Sequence, residues 1–161
     1  MNLKLLSAAL LSTALLIGCG DEEENIDVEG CEHLKEGPSS TVNASATTTN
    51  LSQVKDDHRR YDISLVDVTG GKGGSVSFSA TEEADYVLFT GADVQVAIKD
   101  ANGQTVAIED SKTSSSECAE IKGRHTIPMK VGLHTLTFGP TPQASVSVVI
   151  EAAAHDDGHE H

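Results

Sequence analysis

The chain has 161 residues, with 25 acids against 11 Lys and Arg, a formal net charge of −14, only 3% aromatic residues and no Trp. So acidic a surface repels phosphate backbones and anionic lipid head groups, which excludes nucleic-acid binding and electrostatic docking on membranes. The scarcity of aromatic rings argues equally against platforms for stacking bases or sugars.

The first residues divide into three parts. Met1 to Lys4 is a short positive head, and Leu5 to Ile17 is uncharged with only Ser7, Ser12 and Thr13 as polar interruptions. Gly18 and Cys19 follow, and then the acidic run Asp21 to Glu24. A positive head, a short apolar run and a small-residue cleavage site predict a secretory signal peptide over residues 1–18. The run is too short for a permanent span, which needs about 20 residues. Leu16-Ile17-Gly18-Cys19 resembles the lipobox of bacterial lipoproteins. The resemblance implies cleavage before Cys19, acylation of its thiol with palmitate-type chains, and a partner in the membrane itself through that anchor. Several acyl chains hold durably, since each buried CH₂ contributes about 0.8 kcal/mol. Gly20, where an Asp would retain such a lipoprotein at the inner membrane, favours the outer membrane of the cell envelope. An ordinary signal peptide with a chance cysteine is the alternative.

Six acids lie among Gly20 to Gly30, with Ile26 and Val28 the only large apolar residues. Such a stretch buries too little to fold, so residues 19–38 are expected to be a solvated tether and 39–153 the folded domain. With Cys19 lipidated, Cys31 and Cys118 remain in an oxidising compartment, where a disulfide is the expected state. Closing so long a loop stabilises by about 4–5 kcal/mol in the chain-entropy treatment. A tetrahedral metal site from Cys31, His33, Cys118 and His125 is the competing reading, and its spacing matches no zinc-ligand pattern.

From Thr41 onward the apolar period is two. Val42, Ala44 and Ala46 alternate with polar residues, and Tyr61, Ile63 and Leu65 do so before the run continues through Val66 and Val68. Thr47 to Asp57 reads as a surface loop, and Gly70 to Gly74 as a flexible turn. Val76 and Phe78 resume the strand spacing, Tyr86 to Phe89 is a continuous apolar run, and Val94, Val96 and Ile98 alternate again. Asp100-Ala101-Asn102-Gly103 is a hairpin signal. After Val106, Ile108 and a Ser-rich loop, strands are expected over His125 to Met129, Leu133 to Phe138 and Ser145 to Ile150, with Pro128 placing its strand at an edge or bulge. No segment of the mature chain predicts an amphipathic helix. The expectation is an all-β, antiparallel β-sandwich of about eight or nine short strands.

Val94 to Gln104, read as strand, Asp-x-Asn-Gly turn and strand, resembles the bacterial pre-peptidase C-terminal domains appended to secreted enzymes. Val131-Gly132-Leu133-His134-Thr135-Leu136 is similar to their Gly-x-Tyr-Thr-Leu strand, with His134 in the aromatic place. The resemblance implies a small β-sandwich.

Chemistry is sparse. Gly-x-Ser-x-Gly and His-Glu-x-x-His are both absent from the sequence. The Gly70 to Gly74 loop lacks the spacing of a phosphate loop, and Asp100 with Asn102 lacks the sixth-position Gly and twelfth-position Glu of a calcium loop. Acid pairs such as Glu82-Glu83 and Asp156-Asp157 are ordinary in so acidic a chain. His155, His159 and His161 close the sequence together with Asp156, Asp157 and Glu160, which makes residues 154–161 a His- and acid-rich tail. Imidazole and carboxylate donors suit zinc or copper, and a solubilising acidic end is the plainer account. The sequence thus points to a non-enzymatic binding or structural module of the envelope, with a metal-binding lipoprotein as the alternative. A convergent His and carboxylate pocket would bring an envelope enzyme back into consideration.

Overall fold

Alternating side chains give each strand an apolar face that must be covered, and two sheets facing each other supply the cover. The structure, a computed structural model, describes residues 25–153. Helix α1 (Ile26–Glu36) comes first and twelve strands follow. They are β1 (Ser39–Asn43), β2 (Gln53–Val54), β3 (Arg60–Ser64), β4 (Val66–Val68), β5 (Gly71–Ala80) and β6 (Ala84–Thr90). The rest are β7 (Val96–Lys99), β8 (Thr105–Val106), β9 (Asp110–Lys112), β10 (Gly123–Met129), β11 (Gly132–Thr141) and β12 (Ser145–Ala152). One sheet has the order β1-β3-β12-β6-β10-β9; the other is β2-β5-β11-β7-β8, with β4 paired to β5.

The expected all-β sandwich is what forms. Tyr61 and Ile63 of β3, Tyr86 and Leu88 of β6, and Val146, Val148 and Ile150 of β12 project inward from the first sheet. They meet Val76 and Phe78 of β5, Ile98 of β7, and Leu136 and Phe138 of β11. Phe78 and Tyr86 stack edge to face between the sheets, ring centroids 5.2 Å apart. Asp100 accepts from the backbone N–H of Asn102 and Gln104 and closes the β7–β8 hairpin, as its sequence predicts. Pro128 pairs with β6 on one side, beyond the last residue of β10 that pairs with β9, which is the edge position a proline needs.

Several expectations need correction. The sandwich is mixed, not purely antiparallel, because β1 pairs with β3 and β2 with β5 in parallel at the sheet edges. A parallel pair needs a long crossover, and residues 44–59 provide it by passing through β2 on the opposite sheet. The stretch read as a surface loop therefore contains a strand, and Val54 is fully buried. The Tyr61-to-Val68 run is two strands: the chain changes sheet at Leu65, whose N–H donates to the Ala144 carbonyl. Gly71 to Gly74 belong to β5, and the turn is Thr69-Gly70. Gly74, with φ at 138°, passes so close to the incoming chain that a Cβ there would lie 2.9 Å from that of Ala44.

The largest correction lies at the start. Residues 26–36 of the segment expected to be a tether form α1, which packs on the outer face of the first sheet. Asn25 caps the helix by accepting from Asp27 N–H, acids occupy its first turn, His33 and Lys35 its last, and Gly37-Pro38 ends it. Its buried seam is only Gly30, Cys31 and Leu34. These meet Val87 and Phe89 of β6, Val149 of β12, Cys118 and Ile121 in a second apolar cluster. The two-sided burial of β6 explains its continuous apolar run. Among the described residues no helix is long and apolar enough to cross a membrane.

Candidate metal centre

The centre sits where α1, β12 and the connection 55–59 converge on the outer face of the first sheet. Glu29 and His33 are four residues apart on α1, hence stacked on one side of the helix. The helix is held in place along its length. Near its N-terminus, Arg124 Nε donates to Asp27 Oδ1 at 2.7 Å and the Ser115 hydroxyl to Oδ2 at 2.7 Å. Burial pushes the Asp27 carboxyl up, but the bonds from Arg124 and Ser115 outweigh it and hold the group below its ordinary value. In the middle, the Cys31–Cys118 disulfide staples the helix to the chain before β10, with Cα atoms 5.7 Å apart. Near the C-terminus, Arg60 Nη1 donates to the Leu34 carbonyl at 3.0 Å.

Glu151 is the next-to-last residue of β12 and points outward, as Val149 does two positions before it. It is 3% exposed. His58 comes from the connection between β2 and β3 and holds a left-handed backbone with φ at 53°. That region is uncommon for residues with a Cβ, although His, Asn and Asp enter it more readily than others. The residues on either side are pinned, since Asp57 accepts from the Tyr61 hydroxyl and Arg59 Nη1 donates to Ser40 Oγ. Burial and the Asp57 carboxylate together push the Tyr61 phenol up to about 12.

The four side chains close on one point. His33 Nδ1 lies 2.6 Å from Glu151 Oε1, and His58 Nδ1 lies 3.3 Å from Glu151 Oε2 and 3.1 Å from Glu29 Oε1. One donor atom from each of the four falls within 4.8 Å of all the others. Tetrahedral zinc with ligands at about 2.0–2.2 Å sets its donor atoms about 3.3–3.6 Å apart. Two of the separations are within about 0.2 Å of that range, and the short His33–Glu151 contact would have to open by roughly 0.7 Å.

Charge favours the same occupant. Metal binding requires both imidazoles deprotonated, and the two carboxylates would then present a −2 set that one divalent cation cancels. Among the described residues no Lys or Arg pairs with Glu29 or Glu151, whose close partners are the imidazoles of His33 and His58. Burial, reinforced by the negative charge of Glu29, pushes the Glu151 carboxyl above its ordinary value, against the pull of the hydrogen bond from His33. Glu151 is thus a buried acid whose close partners are two imidazoles and a second carboxylate.

The residues that the sequence singles out fare differently. The disulfide between Cys31 and Cys118 is present, so neither sulfur is available as a thiolate, and Glu120 beside Cys118 completes no ligand set. The Cys31, His33, Cys118 and His125 site does not form. His125 shares the inward face of β10 with Ile127 and Met129, whereas the cysteines lie on the outer face of the same sheet. His125 Nδ1 instead bonds Ser111 Oγ at 2.8 Å, and burial lowers the affinity of its ring for a proton. His134 is buried in β11 and donates from Nδ1 to the Gly132 carbonyl. Glu82 and Glu83 are exposed in the turn before β6. Cys19, the signal peptide, and the tail with His155, Asp156, Asp157, His159 and His161 lie outside the described residues. Sequence reasoning does not single out Glu29, His58 or Glu151. The four-residue spacing of Glu29 and His33 is the one signal it contains, and that spacing carries meaning only once the helix is recognised.

No protein-family model matches the chain, and no curated protein does. Among solved structures, it is similar to PliG of Salmonella Typhimurium, a periplasmic lysozyme inhibitor of g-type lysozyme. The identity is 14% and the TM-score 0.35, over 71% of this chain and 98% of that one. A likeness this loose leaves the function to be argued from the site.

Proposed function

We propose that this chain is a lipid-anchored, non-enzymatic module of the cell envelope that binds one divalent transition-metal ion through Glu29, His33, His58 and Glu151. The observation that carries this reading is the convergence of four hard and borderline donors, from three separate elements, around the buried Glu151. A mixed imidazole and carboxylate set suits zinc first and copper next. All four positions of a tetrahedral ion are filled by protein donors, which leaves no place for an activated water and favours binding over hydrolysis. The anchor rests on the Leu16-Ile17-Gly18-Cys19 pattern, and the outer membrane on Gly20. The tail histidines His155, His159 and His161 offer a second set of imidazole donors.

One preparation tests the reading. Protein extracted from membranes without an affinity tag should have the mass of a chain beginning at an acylated Cys19. It should also retain zinc, in a one-to-one ratio, through dialysis. Deleting residues 155–161 should leave that zinc in place, and Glu151→Gln should remove it. The reverse pattern would assign the metal to the tail, and an unmodified Cys19 would end the anchor reading.

A further inference from the structure

Within the metal reading above, the geometry points to His58 as the exchangeable ligand, the donor that yields its place on the ion to a ligand atom of an incoming acceptor. The four donors are not held alike. Glu151 is 4% exposed at its side chain, His33 19% and Glu29 32%, and all three sit on hydrogen-bonded helix or strand. His58 is 66% exposed and sits in the irregular connection 55–59.

Substitution at a filled tetrahedral ion passes through a five-coordinate stage, so the newcomer needs an open side from which to approach. Glu151 and His33 are enclosed on their sides, and Glu29 is only partly open. The most open side is the one that His58 covers. Because Asp57 and Arg59 are each tied to β-strand residues, the imidazole can swing out about its own side-chain bonds while the connection stays in place. The exchange is balanced without redox: one donor atom enters, the His58 nitrogen leaves, and the ion stays divalent. The acceptor class is therefore a chelating ligand with imidazole, pyridyl, thiolate or carboxylate donors. A site of this kind transfers its ion; a structural ion locked inside a fold does not.

The experiment uses the full chain loaded with zinc and mixed with an excess of a chromogenic pyridylazo chelator, and follows zinc transfer by absorbance. The transfer rate should rise in proportion to chelator concentration. His58→Gly removes the imidazole and suits the left-handed backbone. It should transfer about tenfold faster or more, a scale on which even outer-shell partners alter metal affinity. It should still bind zinc, though less tightly, whereas His33→Gln should retain none through dialysis. A wild-type rate independent of chelator concentration, or a His58→Gly protein that transfers no faster, would overturn the assignment while leaving the metal site standing. A wild-type chain that holds no zinc at all would sink both.

Discussion

Gly30→Ala sets two effects of opposite sign against each other in the middle of α1. Alanine favours a helix interior over glycine by about 1 kcal/mol, so the change alone should stabilise. The helix, however, lies directly on Phe89. A Cβ at position 30 would sit 2.5 Å from Cδ2 and 2.9 Å from Cζ of that ring. Carbon atoms pack best about 3.5–4.0 Å apart, so helix or ring must retreat by roughly 1 Å. The ring has nowhere to go. Phe89 is fully buried among Val87, Cys118, Ile121 and Val149. Overpacking of this kind costs about 1–3 kcal/mol, and a lifted helix also loses part of the burial of Leu34. The net expectation is a loss of about 1–2 kcal/mol, which for a domain of this size lowers the melting midpoint by about 5 °C. Metal-free protein followed by calorimetry gives the midpoint. Zinc titration of the same variant should show weakened binding, because lifting α1 draws Glu29 and His33 away from Glu151. A Gly30→Ala protein that melts above wild type would show propensity acting unopposed, and the close contact between α1 and β6 would be refuted.

Two further outcomes follow from the same geometry. Glu151 has a folded-state value raised above its ordinary 4.5 by burial and by the charge of Glu29, against the pull of His33 and His58. Between those two values the native state holds more protons than the unfolded state, so metal-free stability should fall as pH rises through that window. Glu151→Gln should flatten the decline in chelator-treated melts across pH, and an unchanged slope would show that another group causes it. Cys31→Ala with Cys118→Ala opens a link across 87 residues and should cost about 4–5 kcal/mol in the chain-entropy treatment. It should also weaken zinc binding, since Cys31 lies between Glu29 and His33, and melting midpoints equal to wild type would contradict the first expectation.

Local pattern was enough to read the sandwich. The alternation of Tyr61 with Ile63 and of Val96 with Ile98, the Asp100-to-Gly103 turn, and Pro128 at an edge are properties of two or a few neighbouring residues, and each stands where the sequence puts it, although β7 begins only at Val96, after Val94. The pairing of Cys31 with Cys118 is the one expected once Cys19 is assigned, on the lipobox resemblance, to a lipid, and the structure forms it. Direction and sheet change were not legible: Leu65 is one more apolar residue in a run, and only the pairing of Val66 with Gly73 of β5 reveals the crossing from one sheet to the other. The helix was hidden because its seam of Gly30, Cys31 and Leu34 carries so little apolar surface that six acids around it dominate any reading of composition. Its stability comes from Phe89, Arg124 and the disulfide, which are distant in sequence. The proposed metal centre depends on that helix. Glu29 and His33 share a side only once the backbone coils, and Glu151 becomes a buried carboxylate only because α1 covers the outer face of β12. Periodicity reports the face a residue occupies, whereas convergence of donors from positions 29, 33, 58 and 151 is a property of packing that no local stretch of chain contains.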